Sequence, residues 1–171
     1  MDEFINNRLT DNQKKFFNKL QNYIDDDTEI SFYGSIKRFD YIKNKSDIDI
    51  DIFTYNESSI INKLSNLLHL KKNEIRKVVY KIENKIVHGY KFKYQDAHNK
   101  VFVEVSIYNF KYKHLVKKQH ERADKLPFYT LFAMFIIKHF YYSLNIIDVK
   151  VYSLIKNFLI HGTNDRNFIL M

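Results

Sequence analysis

Apolar and polar positions recur with two different periods along the chain, and each change of period marks a new element. Over residues 11–24, Phe16, Phe17, Leu20 and Tyr23 fall at helical spacing and predict an amphipathic helix. A short strand over 29–33 follows and ends directly at Gly34 and Ser35. The run "DIDIDIF", 47–53, alternates acid and β-branched residue with period two, so it reads as a strand. "ESSIINKLSNLLHL" then returns to helical spacing through Ile60, Ile61, Leu64, Leu67 and Leu68. Extended runs near 77–82 and 86–94, a polar turn "QDAHNK" and the alternating strand "VFVEVSI" complete a sheet. From Pro127 onward, "PFYTLFAMFIIKHFYYS" and "VKVYSLIKNFLIH" read as two helices. The expected architecture is α+β: one compact chain over 1–171, with a mixed sheet in a core at about 26–112. A small helical lobe is expected from about 1–25 and 113–171.

Composition changes the picture in three ways. With 171 residues and 45% hydrophobic content, the chain suits one domain with its own core. A formal charge of +8, with tyrosines and phenylalanines among the lysines, suits an anionic partner offering bases to stack, such as nucleic acid. Coding bias in an AT-rich genome gives the same composition without any ligand, and both readings stand on composition alone. There is no cysteine, so any metal must sit on oxygen or histidine. The start "MDEFINNRLT" has no apolar leader, and "LFAMFII" is stopped by Lys138 and His139, so no membrane span and a cytoplasmic location are expected.

The candidate chemistry lies in the acids. Alternate strand positions share a face, so Asp47, Asp49 and Asp51 point one way, successive ones roughly 7 Å apart, while Ile48, Ile50 and Ile52 line the other. Such a row repels itself unless cations or donors neutralise it, which makes a divalent-metal site the economical reading. A two-metal phosphoryl-transfer site needs a further acid from a neighbouring strand, about 4.8 Å away. Glu104, between Val103 and Val105 in "VFVEVSI", supplies one; a merely edge-exposed glutamate is the alternative.

These residues resemble the DNA polymerase β-like nucleotidyltransferases, whose signature is Gly-Ser after a strand and then S-D-x-D on the next. Here those are Gly34, Ser35, Ser46, Asp47, Ile48 and Asp49. The chain is most similar to the terminal RNA nucleotidyltransferases, the cytoplasmic poly(A) polymerase and terminal uridylyltransferase branch. "KFKYQDAHNKVFVEVSIYN" looks like their hairpin ending in V-D-I-S-F-N. "LPFYTLFAMFIIKHFYYSLN" and "VYSLIKNFLIH" are similar to two helices of that branch, and together the motifs span most of the chain.

The resemblance implies attack of an acceptor 3′-hydroxyl, on RNA, at the α-phosphate of ATP or UTP, with two Mg²⁺ or Mn²⁺ ions. It makes Asp47, Asp49 and Glu104 the catalytic metal ligands, and gives Gly34 and Ser35 the triphosphate. Lys138 would pair with the outer phosphates, Tyr152 would stack under the base, and Asn109 would read the ribose. From the residues alone, Lys138 is equally a snorkelling lysine and Tyr152 equally helix core. Arg38 faces triphosphate or solvent, while Lys91 and Lys93 are candidates for RNA phosphates.

Several departures stand beside the motif. Glu104 replaces an aspartate, Asp51 stands where the branch is apolar, and a shifted pair of Asp49 with Asp51 stays open. Asn109 lies one residue further from its acid than usual, and Val151 replaces a serine. Longer relatives continue into helices and a loop that choose between ATP and UTP, so base choice is not legible and a partner protein supplying the missing lobe is conceivable. Two other classes remain: a small nucleotidyltransferase modifying a protein or small molecule, and an inactive RNA-binding subunit, against which the retained acids argue.

Overall fold

Two helices open the chain in the computed structural model, which describes residues 2–24 and 27–161. The first, α1 (Glu3–Arg8), is capped by Asp2, whose side chain accepts from the Phe4 N–H. The second, α2 (Asp11–Tyr23), starts with a reciprocal capping box. There the Thr10 hydroxyl accepts from the Gln13 N–H at 3.3 Å, and Gln13 Oε1 accepts from the Thr10 N–H at 2.9 Å. Both helices put their apolar residues, Ile5, Leu9, Phe17 and Leu20, against the sheet.

The sheet has five strands in the order β1-β2-β5-β4-β3: β1 (Glu29–Tyr33), β2 (Ile48–Thr54), β3 (Arg76–Ile82), β4 (Lys85–Asp96) and β5 (Val101–Asn109). Only β2 and β5 are parallel; the other pairs are antiparallel. Glu83 and Asn84, both at positive φ, close the two-residue β3–β4 hairpin. Ile48, Ile50 and Ile52 are fully buried with Val103, Val105 and Ile107 under α1, α2 and α3 (Glu57–Leu68). Each such side chain contributes about 1.5–3 kcal/mol on burial. This apolar face fixes the register, because a slip of one residue would turn the acids of β2 into the core.

The opposite face carries those acids and a second cluster of Phe53, Val78, Tyr80, Val87 and Tyr108. It is crossed by α4 (Lys113–Asp124), a helix that hydrophobic periodicity does not announce, since only Leu115 and Val116 are apolar in its first ten positions. Ion pairs hold it instead: Lys113 and Lys117 on Glu29, and Lys118 and Arg122 on Glu83.

The last two helices, α5 (Phe128–Tyr142) and α6 (Val149–His161), pack chiefly on each other. The Asp148 side chain starts α6 by accepting from the Lys150 and Val151 N–H groups. At the two chain ends, α1 and α2 turn their apolar stripes to the sheet, whereas α5 and α6 meet chiefly each other. No described helix is long and apolar enough to cross a membrane.

Candidate functional site

Register brings the acids together. Asp49 is the direct partner of Glu104 across β2 and β5, and Lys93 is the partner of Glu104 across β5 and β4. One row across the sheet thus reads Tyr33, Asp49, Glu104, Lys93. The next row reads Ser31, Asp51, Ser106, Lys91. Asp51 thus has no acid opposite it, and the pair formed across β2 and β5 is Asp49 with Glu104.

The charges in this patch are compensated from one side. Lys91 Nζ lies 2.5 Å from Glu104 Oε1, and Lys93 Nζ bridges Glu104 Oε2 and Asp47 Oδ2 at 3.4 Å each. Burial pushes the Glu104 carboxyl up, but the two ammonium groups reverse this and hold it below the ordinary range. Among the described residues no cation pairs directly with Asp49. Burial, and then the Glu104 charge, raise its carboxyl to about 7, with Lys156 on α6 and Lys91 offsetting part of the rise. Glu104 is thus not an exposed edge residue, its side chain being 17% accessible.

The turn after β1 is built for close approach. Gly34 has φ +72°, and a Cβ there would stand 2.5 Å from Asp49 Oδ2, so any side chain would collide with the acid. Ser35 follows in a short 3-10 turn (Gly34–Lys37) and is buried. Burial raises the Asp124 carboxyl at the end of α4, and Arg38, Lys37, His120 and the Gly34 backbone offset part of the rise. Arg38 lies 3.6 Å from the same carboxylate and binds Asp40 through Nε at 2.9 Å.

Asp51 turns away from the acid pair. It is 1% exposed, its Oδ2 lies 2.8 Å from His120 Nε2, and its Oδ1 has no hydrogen-bond partner. Burial raises its carboxyl, and His120 offsets part of that. The His120 ring stacks on Tyr33 at 3.8 Å and 14°.

The remaining expected residues are placed as follows. Lys138 is 3% exposed and donates to Asp40 Oδ2 at 2.8 Å and to the Asp40 carbonyl at 3.0 Å, so it is a buried, paired group rather than a snorkelling one. Burial lowers its ammonium, and Asp40 counters in part. Tyr152 is buried and stacks one face on Tyr141, with centroids 4.4 Å apart and planes at 9°. Burial pushes its hydroxyl up to about 12, with Tyr142 offsetting part of the rise and Asp40 and Asp47 adding to it. Asn109, five residues beyond Glu104 on β5, lies roughly 16 Å along the strand. There its side chain caps the following turn by accepting from the Lys111 N–H at 3.2 Å. The structure therefore does not bring Asn109 to the acids. Lys91 and Lys93 face the carboxylates instead of standing free for phosphates.

The sequence reading did not single out Asp40, His120, Asp124 or Lys156. Only Lys156 leaves a signal, its spacing four residues after Tyr152 on one helix face.

Whether the donor set fits a divalent ion turns on its geometry. Among the described residues no three acids or histidines already stand at metal-binding distance. Asp47, just before β2, and Glu104 on β5 are spanned by Lys93 Nζ at ion-pair distance, and Asp49 is the register partner of Glu104. Carboxylate oxygens are the donors a hard divalent ion takes, and Lys93 stands between two of them.

No protein-family model and no curated protein sequence matches the chain. Solved structures do. The GLD-2/RNP-8 complex overlaps at 15% identity and a TM-score of 0.43, covering 94% of this chain and 60% of that one. The Cid1 poly(U) polymerase bound to MgATP overlaps at 14% and 0.41, covering 85% and 48%. Terminal uridylyl transferase 4 from Trypanosoma brucei with bound UTP and UMP overlaps at 12% and 0.35, covering 61% and 38%. The chain spans less than two thirds of the length of each of these structures.

Proposed function

We propose that the chain is a metal-dependent nucleotidyltransferase that transfers the nucleoside monophosphate of ATP or UTP to the 3′ end of an RNA. The observation that carries this reading is the pairing of Asp49 with Glu104 directly beside a Gly34 turn that admits no side chain. An acid without a direct ion-pair partner, set against a tight turn, suits a polyphosphate bridged to carboxylates.

In this reading Asp47, Asp49 and Glu104 hold two Mg²⁺ or Mn²⁺ ions, which would neutralise charge on the phosphates and lower the pKa of the attacking hydroxyl. Gly34 and Ser35 hold the triphosphate through backbone and hydroxyl donors. Glu104, kept ionised by Lys91 and Lys93, is the base that accepts the 3′-hydroxyl proton. The 3′-oxygen forms its bond to the α-phosphorus as the bond to pyrophosphate breaks. Tyr152, buried against Tyr141 and Tyr142, holds α6 on α5 in place of stacking under the base. Lys156, on the same helix face, adds positive charge toward Asp49. Lys138 stays with Asp40 and orients α5, a positioning role in place of direct phosphate contact.

A protein or small-molecule acceptor is the second reading, favoured by the engagement of Lys91 and Lys93 with acids instead of a free basic track. Incubating end-labelled RNA with each NTP in turn, with Mg²⁺ or Mn²⁺, separates the two. Ladders on the RNA support the first reading, and consumption of NTP without them supports the second.

A further inference from the structure

Helix α5 is apolar around its whole circumference yet buries only one stripe of it. Thr130, Met134 and Lys138, four residues apart, face the protein, and most of the other large side chains stand in solvent. A helix apolar on every side belongs in an interior. Of the seventeen large apolar side chains exposed among the described residues, twelve lie between Phe128 and Phe158 on α5, α6 and their connection. Those at the start of α5 are in contact: Phe132 stacks on Phe128, and Phe39 bridges Phe128 and Phe135 with centroids 5.6 and 6.4 Å away.

Aromatic side chains carry about 150–250 Å² each, so twelve large side chains at roughly half exposure present on the order of 1,000 Å². A monomer's largest apolar patch is usually about 300–600 Å². A stable interface buries about 800 Å² on each partner, so this face has the area of one complete interface.

Charge decides the occupant. The chain carries +8, so two copies repel one another over most of their surface. Residues 128–147 are the exception. Their one formally charged side chain is Lys138, which is buried on Asp40. Over α5 a second copy meets no like charge, α6 adding only Lys150 and Lys156, and a two-fold pair places the same apolar face on both sides, where it is complementary to itself. We infer that the α5–α6 face is the interface of a homodimer, with the aromatic ridge of Phe128, Phe132 and Phe135 and the exposed Leu154 and Phe158 of α6 at its centre. This pairing does not rest on the proposed nucleotide chemistry.

The test is the mass in solution of the full chain by size exclusion with light scattering, up to about 100 μM, where a weak pair is populated. The expected mass is twice 20.8 kDa. The double variant Phe132→Glu/Leu154→Glu should run as a monomer with unchanged circular dichroism, whereas Tyr55→Glu, equally exposed but outside the patch, should stay dimeric. If the double variant does not fold, Phe128→Lys at the solvent-facing start of α5 should weaken pairing about tenfold or more. A monomeric wild type at the highest concentration, a species larger than two chains, or a pair indifferent to these variants overturns the inference. So does a wild type that associates only with a different protein.

Discussion

Asp49 and Glu104 are register partners on adjacent parallel strands, but their charges are treated oppositely: Lys91 and Lys93 hold Glu104 ionised, while Asp49 faces burial with no cation in direct contact. The pair is thus half neutralised by the protein itself. The missing half is what a divalent ion would supply, and this asymmetry has measurable consequences.

Metal affinity should depend on pH through Asp49. An ion binds the carboxylate, and with the carboxyl raised to about 7, binding must displace a proton below that pH. Mn²⁺ affinity should fall about tenfold per pH unit below neutrality and level off above it. Calorimetric titration at three pH values checks this, and a flat profile between mildly acidic and alkaline conditions contradicts it.

Stability without metal should move the other way. A carboxyl raised in the folded state and ordinary in the unfolded one contributes stability at low pH, which is lost as the pH rises through the folded pKa of about 7. Asp49→Asn should therefore raise Tm near pH 8, by about 2–4 °C per kcal/mol recovered, and leave it unchanged near pH 4. Equal effects at both pH values would show that Asp49 is not strained by its charge.

Asp51→Asn should be far milder for nucleotide transfer than Asp49→Asn, because Asp51 lies under His120 and opposite Ser106. Steady-state kinetics of the two variants decide it. A loss as severe as that of Asp49→Asn would make the shifted pair of aspartates the metal site.

The buried chain of Arg38, Asp40 and Lys138 ties the Gly-Ser turn to α5, so cutting it should be costly. Lys138→Met leaves Asp40 with Arg38 alone and should destabilise by about 3–5 kcal/mol. Lys138 and Arg38 hold the Asp40 carboxyl below its ordinary value against the effect of burial. That contribution is present at neutral pH and is lost as the pH falls through the acid range. Urea unfolding at neutral and acidic pH should thus show a smaller difference between wild type and Lys138→Met at the acid end. An unchanged midpoint at neutral pH contradicts the structural role.

Much of this was legible in the sequence where side-chain period and local chemistry agree. β2 was marked by its alternating acids and isoleucines, β5 by its valines, and the turn by Gly34 beside the S-D-x-D run. What escaped was held by charge over long sequence separations. Helix α4 has almost no apolar stripe, and its anchors, Glu29 and Glu83, lie 30–90 residues away in the chain. For the same reason His120 and Asp124 could not be matched with Asp51 and Gly34, nor Lys138 with Asp40. The cationic run 91–93 was readable as a basic surface, but only register shows that it faces the acids.

The most direct measurement of the central claim is release of pyrophosphate from ATP or UTP, coupled to an RNA with a free 3′-hydroxyl, by wild type, Asp49→Asn and Glu104→Gln. The account predicts release that requires both the divalent ion and the 3′-hydroxyl. It predicts a fall of about a thousandfold or more in Asp49→Asn and a large fall in Glu104→Gln, with both variants folded. Release that persists in folded Asp49→Asn, or its absence from wild type with every NTP and either metal, would contradict the assignment of these acids to nucleotidyl transfer.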